Sequence, residues 1–93
     1  MSDRKIIRKR LTVYGDVQGV GFRYRAYHAA ESLHVTGWVH NEWDGSVLLE
    51  VQGTEEEIRQ MLKLTEQGRF ISIDRVETEE LDVDEDERGF HIR

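Results

Sequence analysis

A glycine-rich segment from Gly15 to Phe22 lies between a strand-like run and a helix-like run, and Arg23 follows it directly. A turn of this composition lets consecutive main-chain N–H groups converge on one point. N–H groups at a helix N-terminus are unpaired and carry the positive end of the helix dipole, so they favour a phosphate-like anion. The candidate ligands for such an anion are the amides of Gln18, Gly19, Val20, Gly21 and Phe22. Many glycine-rich turns bind nothing, so composition alone leaves both interpretations open.

Arg23 strengthens the anion-site interpretation. A cation in the first turn of a helix opposes the macrodipole and costs about 0.3–1 kcal/mol unless a negative charge lies nearby. An anion held jointly by the loop and Arg23 would remove that conflict. The alternative is that Arg23 points into solvent, as we expect of Arg25. Asp16 adds a negative charge beside the predicted site, and we expect its side chain to face away.

Apolar periodicity predicts the elements that position this loop. Alternation predicts a half-buried strand over 7–14, and apolar spacing on one helical face predicts a helix over 22–33. Asp44-Gly45 predicts a tight hairpin between strands 35–43 and 46–52. Thr54 with Glu57 forms a capping-box pattern that opens a second helix, which ends at Gly68. Further strands are predicted at 76–83 and 90–92.

This order predicts an α+β fold of the ferredoxin-like, split βαβ type, built as one domain over residues 1–93. Two interleaved strand-helix-strand units give an antiparallel sheet of four to five strands with both helices on one face. The acidic segment 82–89 is interpreted as a solvated hairpin loop before the last strand. The same topology serves many functions, so the function must come from a site.

Charge is unevenly distributed along the chain. Residues 1–25 contain seven Lys/Arg and two Asp, for +5, whereas residues 26–93 contain six Lys/Arg and seventeen Asp/Glu, for −11. A local basic segment can focus a small anion, but a largely acidic surface repels a nucleic-acid backbone. We interpret Arg8, Lys9 and Arg10 as the solvated face of the first strand.

Other features exclude some classes of function. The chain has no Cys, which excludes disulfides, zinc-thiolate sites and thiol nucleophiles. No signal-peptide-like or membrane-spanning window is present, so we expect a cytoplasmic protein without membrane association. The four histidines lack metal-site spacing, and we predict no metal and no cofactor. Aromatic residues could stack on bases, but the accompanying strands are Glu-rich, which disfavours nucleic acid. The histidines are His28, His34, His40 and His91, and the aromatics are Tyr24, Tyr27, Trp38 and Trp43.

Two motifs resemble those of the acylphosphatase family. Residues 15–23 read G-x-V-Q-G-V-x-F-R, as in the first family motif. Residues 37–41 read G-W-V-x-N and are followed by G-x-V at 45–47 and by Gly53, as in the second. The two motifs span residues 15–53, and the order of strands and helices extends the resemblance over nearly the whole chain.

The resemblance implies hydrolysis of an acyl phosphate to a carboxylate and inorganic phosphate. It also implies that the loop amides and Arg23 bind the phosphoryl group and that Asn41 orients the attacking water. From the residues alone, Asn41 is more readily a turn-forming residue. The leaving carboxylate has a conjugate-acid pKa of roughly 4 and needs no general acid at neutral pH, so a site without acid, base or metal suffices.

We therefore expect a monomeric, metal-independent enzyme acting on small acyl phosphates. The first alternative is a non-catalytic domain of the same fold that binds phosphate or carbamoyl phosphate. The second is a nucleic-acid-binding module, which the acidic composition disfavours.

Overall fold

The computed structural model describes residues 4–93, which form five strands and two helices. In chain order these are β1 (Ile7–Asp16), α1 (Phe22–Leu33), β2 (Thr36–Asn41), β3 (Val47–Gly53), α2 (Glu55–Glu66), β4 (Ser72–Leu81) and β5 (Phe90–Ile92). The predicted helices and the βαββαβ order are confirmed.

The strands form one sheet in the order β4-β1-β3-β2-β5. The pairs β4–β1, β1–β3 and β3–β2 are antiparallel, whereas β5 pairs parallel with β2. The ferredoxin-like fold is therefore confirmed, but the expectation of a purely antiparallel sheet is wrong at this edge. The parallel pairing places Ile92 beside Val39, near the end of β2.

Alternation in the sheet and helical spacing in α1 bury side chains between the helices and one sheet face. Leu11, Val13, Val47, Leu49 and Val51 come from the central strands, and α1 adds Phe22, Ala26, Ala29 and Ala30. Each of these residues is at most 6% exposed. The helices also pack against each other. This core fixes the end of β1 and the start of α1, which the glycine-rich loop connects.

Strand β4 begins at Ser72 and ends at Leu81, rather than spanning 76–83. Its first residues pair with the end of β1, after a shift in register between Tyr14 and Gly15. They lack apolar alternation because β4 is an edge strand whose side chains are mostly exposed. Pairing with β1, rather than burial, extends the strand here.

Segment 82–89 is not a hairpin loop, because β4 and β5 lie at opposite edges of the sheet. It crosses the sheet and is pinned to β3 on the way. Gln52 Nε2 donates to the Asp84 carbonyl (2.9 Å), and the Asp84 N–H donates to Gln52 Oε1 (2.8 Å). This crossing brings the chain to β5 at the opposite edge of the sheet.

The basic run at 8–10 is not a solvated face. Arg8 is only 6% exposed and contacts Glu50 (3.0 Å) and Glu87 (2.6 Å). Arg10 also binds Glu50, at 2.8 Å. By alternation Lys9 lies on the other face, 3.9 Å from a carboxylate of α2. The acidic crossing segment covers Arg8 and supplies it with Glu87, which a solvated loop would not do.

Glu50 makes the free energy of unfolding depend on pH in the acidic range. Burial raises the pKa of Glu50, but hydrogen bonds from Arg10 and Arg8 outweigh burial, and the net pKa lies below the ordinary value of 4.5. A depressed carboxyl pKa stabilises the fold above the ordinary pKa, and this contribution is lost as pH falls through the folded-state pKa.

We therefore expect Glu50→Gln to lower the unfolding free energy at pH 7 by about 1.5 kcal/mol. The difference from wild type should shrink below pH 4.5, because protonated Glu50 resembles Gln. Denaturant unfolding at neutral and acidic pH measures it. Glu79→Gln is the control, since Glu79 is 64% exposed and lies 3.5 Å from Arg10. An equal deficit of Glu50→Gln at both pH values would contradict the prediction.

Candidate active site

A cleft of about 250 Å³ opens between the glycine-rich loop, the first turn of α1 and the ends of β2 and β5. It brings Arg23 and Asn41 together, which the two separate motifs did not establish by themselves. Its lining residues are Val17, Gly19, Gly21, Phe22, Arg23, Tyr24, Asn41 and Ile92.

The loop backbone leaves its amides free. Gly19 (φ 73°) and Gly21 (φ 84°) both have positive φ, which L-residues with side chains rarely adopt. Gly21 is the N-cap of α1, and the first helical bond runs from the Arg25 N–H to the Gly21 carbonyl (3.0 Å). Within residues 4–93, no main-chain N–H from Gln18 to Tyr24 donates to another main-chain group. The loop therefore offers unpaired donors at a helix N-terminus, as the glycine pattern predicted.

Arg23 is half-buried at the edge of the cleft, and its position is fixed by the end of β5. Its Nη1 donates to the Arg93 carbonyl at 3.0 Å. The Arg93 N–H donates in turn to the Val39 carbonyl (2.8 Å), and the Arg93 guanidinium lies 4.4 Å from the centre of the Trp38 ring. Strand β2 thus holds the residue that orients Arg23.

No acidic residue occupies the first turn of α1. Asp16 ends β1, is exposed and does not line the cleft. Within residues 4–93, no Asp or Glu side chain forms a salt bridge with Arg23. The site therefore presents a cation together with the positive end of a helix dipole, a combination that an anion stabilises.

Asn41 is the last residue of β2 and pairs with Val47 of β3. Its Oδ1 is buried and accepts no hydrogen bond from the described part of the chain. Leaving a buried acceptor unpaired costs about 1–3 kcal/mol, so such an atom in a cleft calls for a functional explanation. An amide oxygen in this position can accept a hydrogen bond from a water molecule.

Two predicted site residues do not line the cleft. Val20 packs against the hydrophobic core. Gln18 uses its side-chain amide on the Glu42 and Ser46 carbonyls. Their main-chain N–H groups remain candidate ligands. The other predicted residues, Gly19, Gly21, Phe22, Arg23 and Asn41, all line it.

Sequence reasoning missed the apolar wall of the cleft and the partner of Arg23. The sequence predicts Tyr24 only as an aromatic that could stack on bases, and Ile92 only as part of a short terminal strand. Only the parallel pairing of β5 with β2 brings Ile92 to the cleft, and no periodicity in three residues could reveal it. The main-chain acceptor at Arg93 carries no side-chain signal at all.

Arg25 does not point freely into solvent. It donates to the Leu64 (2.9 Å) and Thr65 (3.3 Å) carbonyls at the C-terminal end of α2. A cation there complements both the unpaired carbonyls and the helix dipole. Arg23 and Arg25, two residues apart, thus have different roles in the structure.

The described residues show no cluster of three or more His, Asp or Glu side chains able to hold a metal ion. His28 contacts the Tyr24 and Tyr27 rings, while His40 Nδ1 lies 3.0 Å from Glu42 Oε2. Within residues 4–93, neither helix has the length and apolar character needed to cross a bilayer.

The acylphosphatase family model matches residues 9–92. The acylphosphatase of Geobacillus kaustophilus is 44% identical over 86 residues, which cover 91% of this chain and 92% of that protein. A solved acylphosphatase from Coxiella burnetii superposes with a TM-score of 0.85 at 33% identity and covers 100% of both chains. Full-length HypF, in its phosphate- and nucleotide-bound form, matches at 26% identity with a TM-score of 0.84. That match covers 99% of this chain and 12% of HypF.

The family match begins within β1, ends with β5 and includes both motifs. The similarity to curated relatives extends over nearly the full length of both proteins. The chain therefore belongs to the acylphosphatase family and is an enzyme with acylphosphatase activity.

Proposed function

We propose that Arg23, Asn41 and the amides of residues 18–22 carry out this activity by in-line attack of water on phosphorus. Support comes from one observation above all. Within residues 4–93, the cleft combines Arg23 and a helix N-terminus whose amides have no main-chain acceptor with a buried Asn41 oxygen that accepts no hydrogen bond. The amides and Arg23 suit a phosphoryl group, and the Asn41 acceptor suits the water nucleophile that attacks it.

The phosphoryl group binds to the loop amides and the Arg23 guanidinium. Charge on its three equatorial oxygens is stabilised by donors that are already oriented, so little reorganisation is needed in the transition state. Nη1 of Arg23 is held by the Arg93 carbonyl, and the guanidinium carries further N–H donors for two phosphoryl oxygens. Arginine suits this role better than lysine because its donors form a planar fork.

Asn41 Oδ1 accepts a hydrogen bond from water and holds its oxygen opposite the leaving group. As the new P–O bond forms, the bond from phosphorus to the carboxyl oxygen breaks, and its electron pair leaves with the carboxylate. The water protons end on inorganic phosphate and solvent. A carboxylate of conjugate-acid pKa about 4 departs without protonation, so positioning and charge stabilisation suffice.

The substrate class is a small acyl phosphate. The phosphate end is recognised by charge and the acyl end meets the Tyr24 and Ile92 side chains, which are 64% and 43% exposed. The non-catalytic alternative is not retained, because acylphosphatases about 40% identical over more than 90% of the chain are enzymes. We also propose that the protein acts as a cytoplasmic monomer without metal or cofactor, in keeping with its cysteine-free sequence.

The decisive experiment is hydrolysis of a simple acyl phosphate in ¹⁸O-labelled water, with and without chelator. We expect one labelled oxygen in phosphate, none in the carboxylate, and the same rate after chelation. Label in the carboxylate would place the attack on carbon, and loss of activity with chelator would overturn the metal-free mechanism.

A further inference from the structure

We propose that Gln18 is a positioning residue that holds Asn41 in the cleft by clamping the base of the β2–β3 hairpin. The inference rests on the proposed role of Asn41 in orienting water. It assigns the Gln18 side chain a task different from the anion binding that the loop motif suggests.

The clamp is formed by one side-chain amide and two carbonyls. Gln18 Nε2 donates to the Glu42 carbonyl and to the Ser46 carbonyl, the latter at 2.8 Å. The same two residues close the hairpin, because the Glu42 N–H donates to the Ser46 carbonyl (2.9 Å). Asn41 directly precedes Glu42 and is the last residue of β2. The clamp therefore acts one residue from the proposed catalytic side chain.

The β2–β3 ladder ends at the Asn41–Val47 pair, and the turn beyond it is exposed. Trp43, Asp44 and Gly45 are exposed, and Trp43 is fully so. Asp44 Oδ1 accepts bonds from the Ser46 N–H (2.9 Å) and hydroxyl (2.6 Å), but these lie within the hairpin. In residues 4–93, Gln18 is the residue of the glycine-rich loop whose side chain is hydrogen-bonded to the hairpin.

Both N–H donors of the Gln18 amide are occupied by these carbonyls, so the side chain has none left for phosphate. Its main-chain N–H remains available to the anion. Gln18 thus links the two halves of the site: its backbone belongs to the loop that binds the phosphoryl group, and its side chain fixes the strand end that presents Asn41. A shift of about 1 Å in such a group can cost about 100-fold in rate.

The test is a double-mutant cycle between Gln18 and Asn41. We expect Gln18→Ala, and the size-conserving Gln18→Met, to lower kcat about 10- to 30-fold in the wild-type background. The inhibition constant of inorganic phosphate should change less than about threefold. In an Asn41→Ala background the same substitutions should change kcat less than about twofold, because the group they position is gone.

Thr54→Ala is the stability control. The Thr54 hydroxyl caps α2 by accepting the Glu57 N–H (3.1 Å), and neither Thr54 nor any residue of α2 lines the cleft. We expect it to lower the melting temperature about as much as Gln18→Ala while leaving kcat unchanged. Melting curves also establish that each variant is folded.

The outcomes separate this proposal from the one it rests on. If wild type hydrolyses no acyl phosphate, or if Asn41→Ala leaves kcat unchanged, the proposed function fails and the clamp proposal falls with it. If Asn41→Ala is slow but the Gln18 effect multiplies with it, only the clamp is wrong. A phosphate inhibition constant that rises in step with the loss of kcat would make the Gln18 side chain an anion ligand instead. Unchanged kcat in both Gln18 variants would also overturn the clamp.

Discussion

Arg23→Ala is expected to lower kcat at least about a hundredfold and to weaken competitive inhibition by inorganic phosphate as well. Arg23 is the one cationic residue that lines the cleft in the described residues, and it belongs to the first turn of α1. Removing it takes charge stabilisation from both the bound phosphate and the more negative transition state. The loss should match or exceed that of a single oxyanion donor, about 10²–10³ in kcat. Initial rates and phosphate inhibition measure both effects.

Two variants sharpen this prediction. Arg25→Ala removes a cation from the same helical turn, but Arg25 binds the carbonyls at the end of α2, so it should cost stability and leave kinetics unchanged. Arg23→Lys keeps the charge without the planar fork, and we expect an activity between Arg23→Ala and wild type. An Arg23→Ala enzyme with normal phosphate inhibition would contradict the assignment of Arg23 to the phosphoryl group.

The order of elements was predictable because the main helices and central strands obey simple periodicities. The capping box at Thr54 and Glu57 is present, with Glu57 N–H to Thr54 Oγ1 at 3.1 Å. The failures lie at the edges of the sheet. Strand β4 is extended by pairing rather than by burial, and β5 is too short to carry a period.

The interpretation of Arg8 as solvated is wrong for a related reason. A charged residue next to other charges is usually solvated, and nothing local indicates that segment 82–89 returns to cover it. In the structure both Glu87 and Glu50 bind its guanidinium. Only the crossing of the sheet, which depends on the position of β5, makes Arg8 a buried ion-pair partner.

The crossing also connects stability to the site. Gln52 and Arg8 hold segment 82–89, the segment leads into β5, and the chain beyond β5 supplies the carbonyl that fixes Arg23. The two motifs could predict Arg23 and Asn41 as candidate site residues. They could not identify this support, because it consists largely of main-chain contacts between elements distant in sequence.

Asn41→Ala should separate function from stability. We expect kcat to fall about a hundredfold, since the water loses its acceptor, while phosphate inhibition changes little because the loop and Arg23 are intact. The buried Oδ1 has no donor in the described residues, so deleting it should leave folding stability unchanged or raise it by up to about 1 kcal/mol. If Asn41 had a structural role instead, its truncation would lower the free energy of unfolding.

Thr36→Ala, at the opposite end of β2, is the control for a change in the same strand and should leave kcat unaltered. Asn41→Asp retains an acceptor but adds a negative charge beside the phosphoryl group, so we expect it to weaken phosphate inhibition, which Asn41→Ala does not. Paired kinetic and unfolding measurements decide the matter. A loss of stability in Asn41→Ala together with full activity would make the residue a turn former. A loss of activity at constant or higher stability is what an acceptor reserved for water requires.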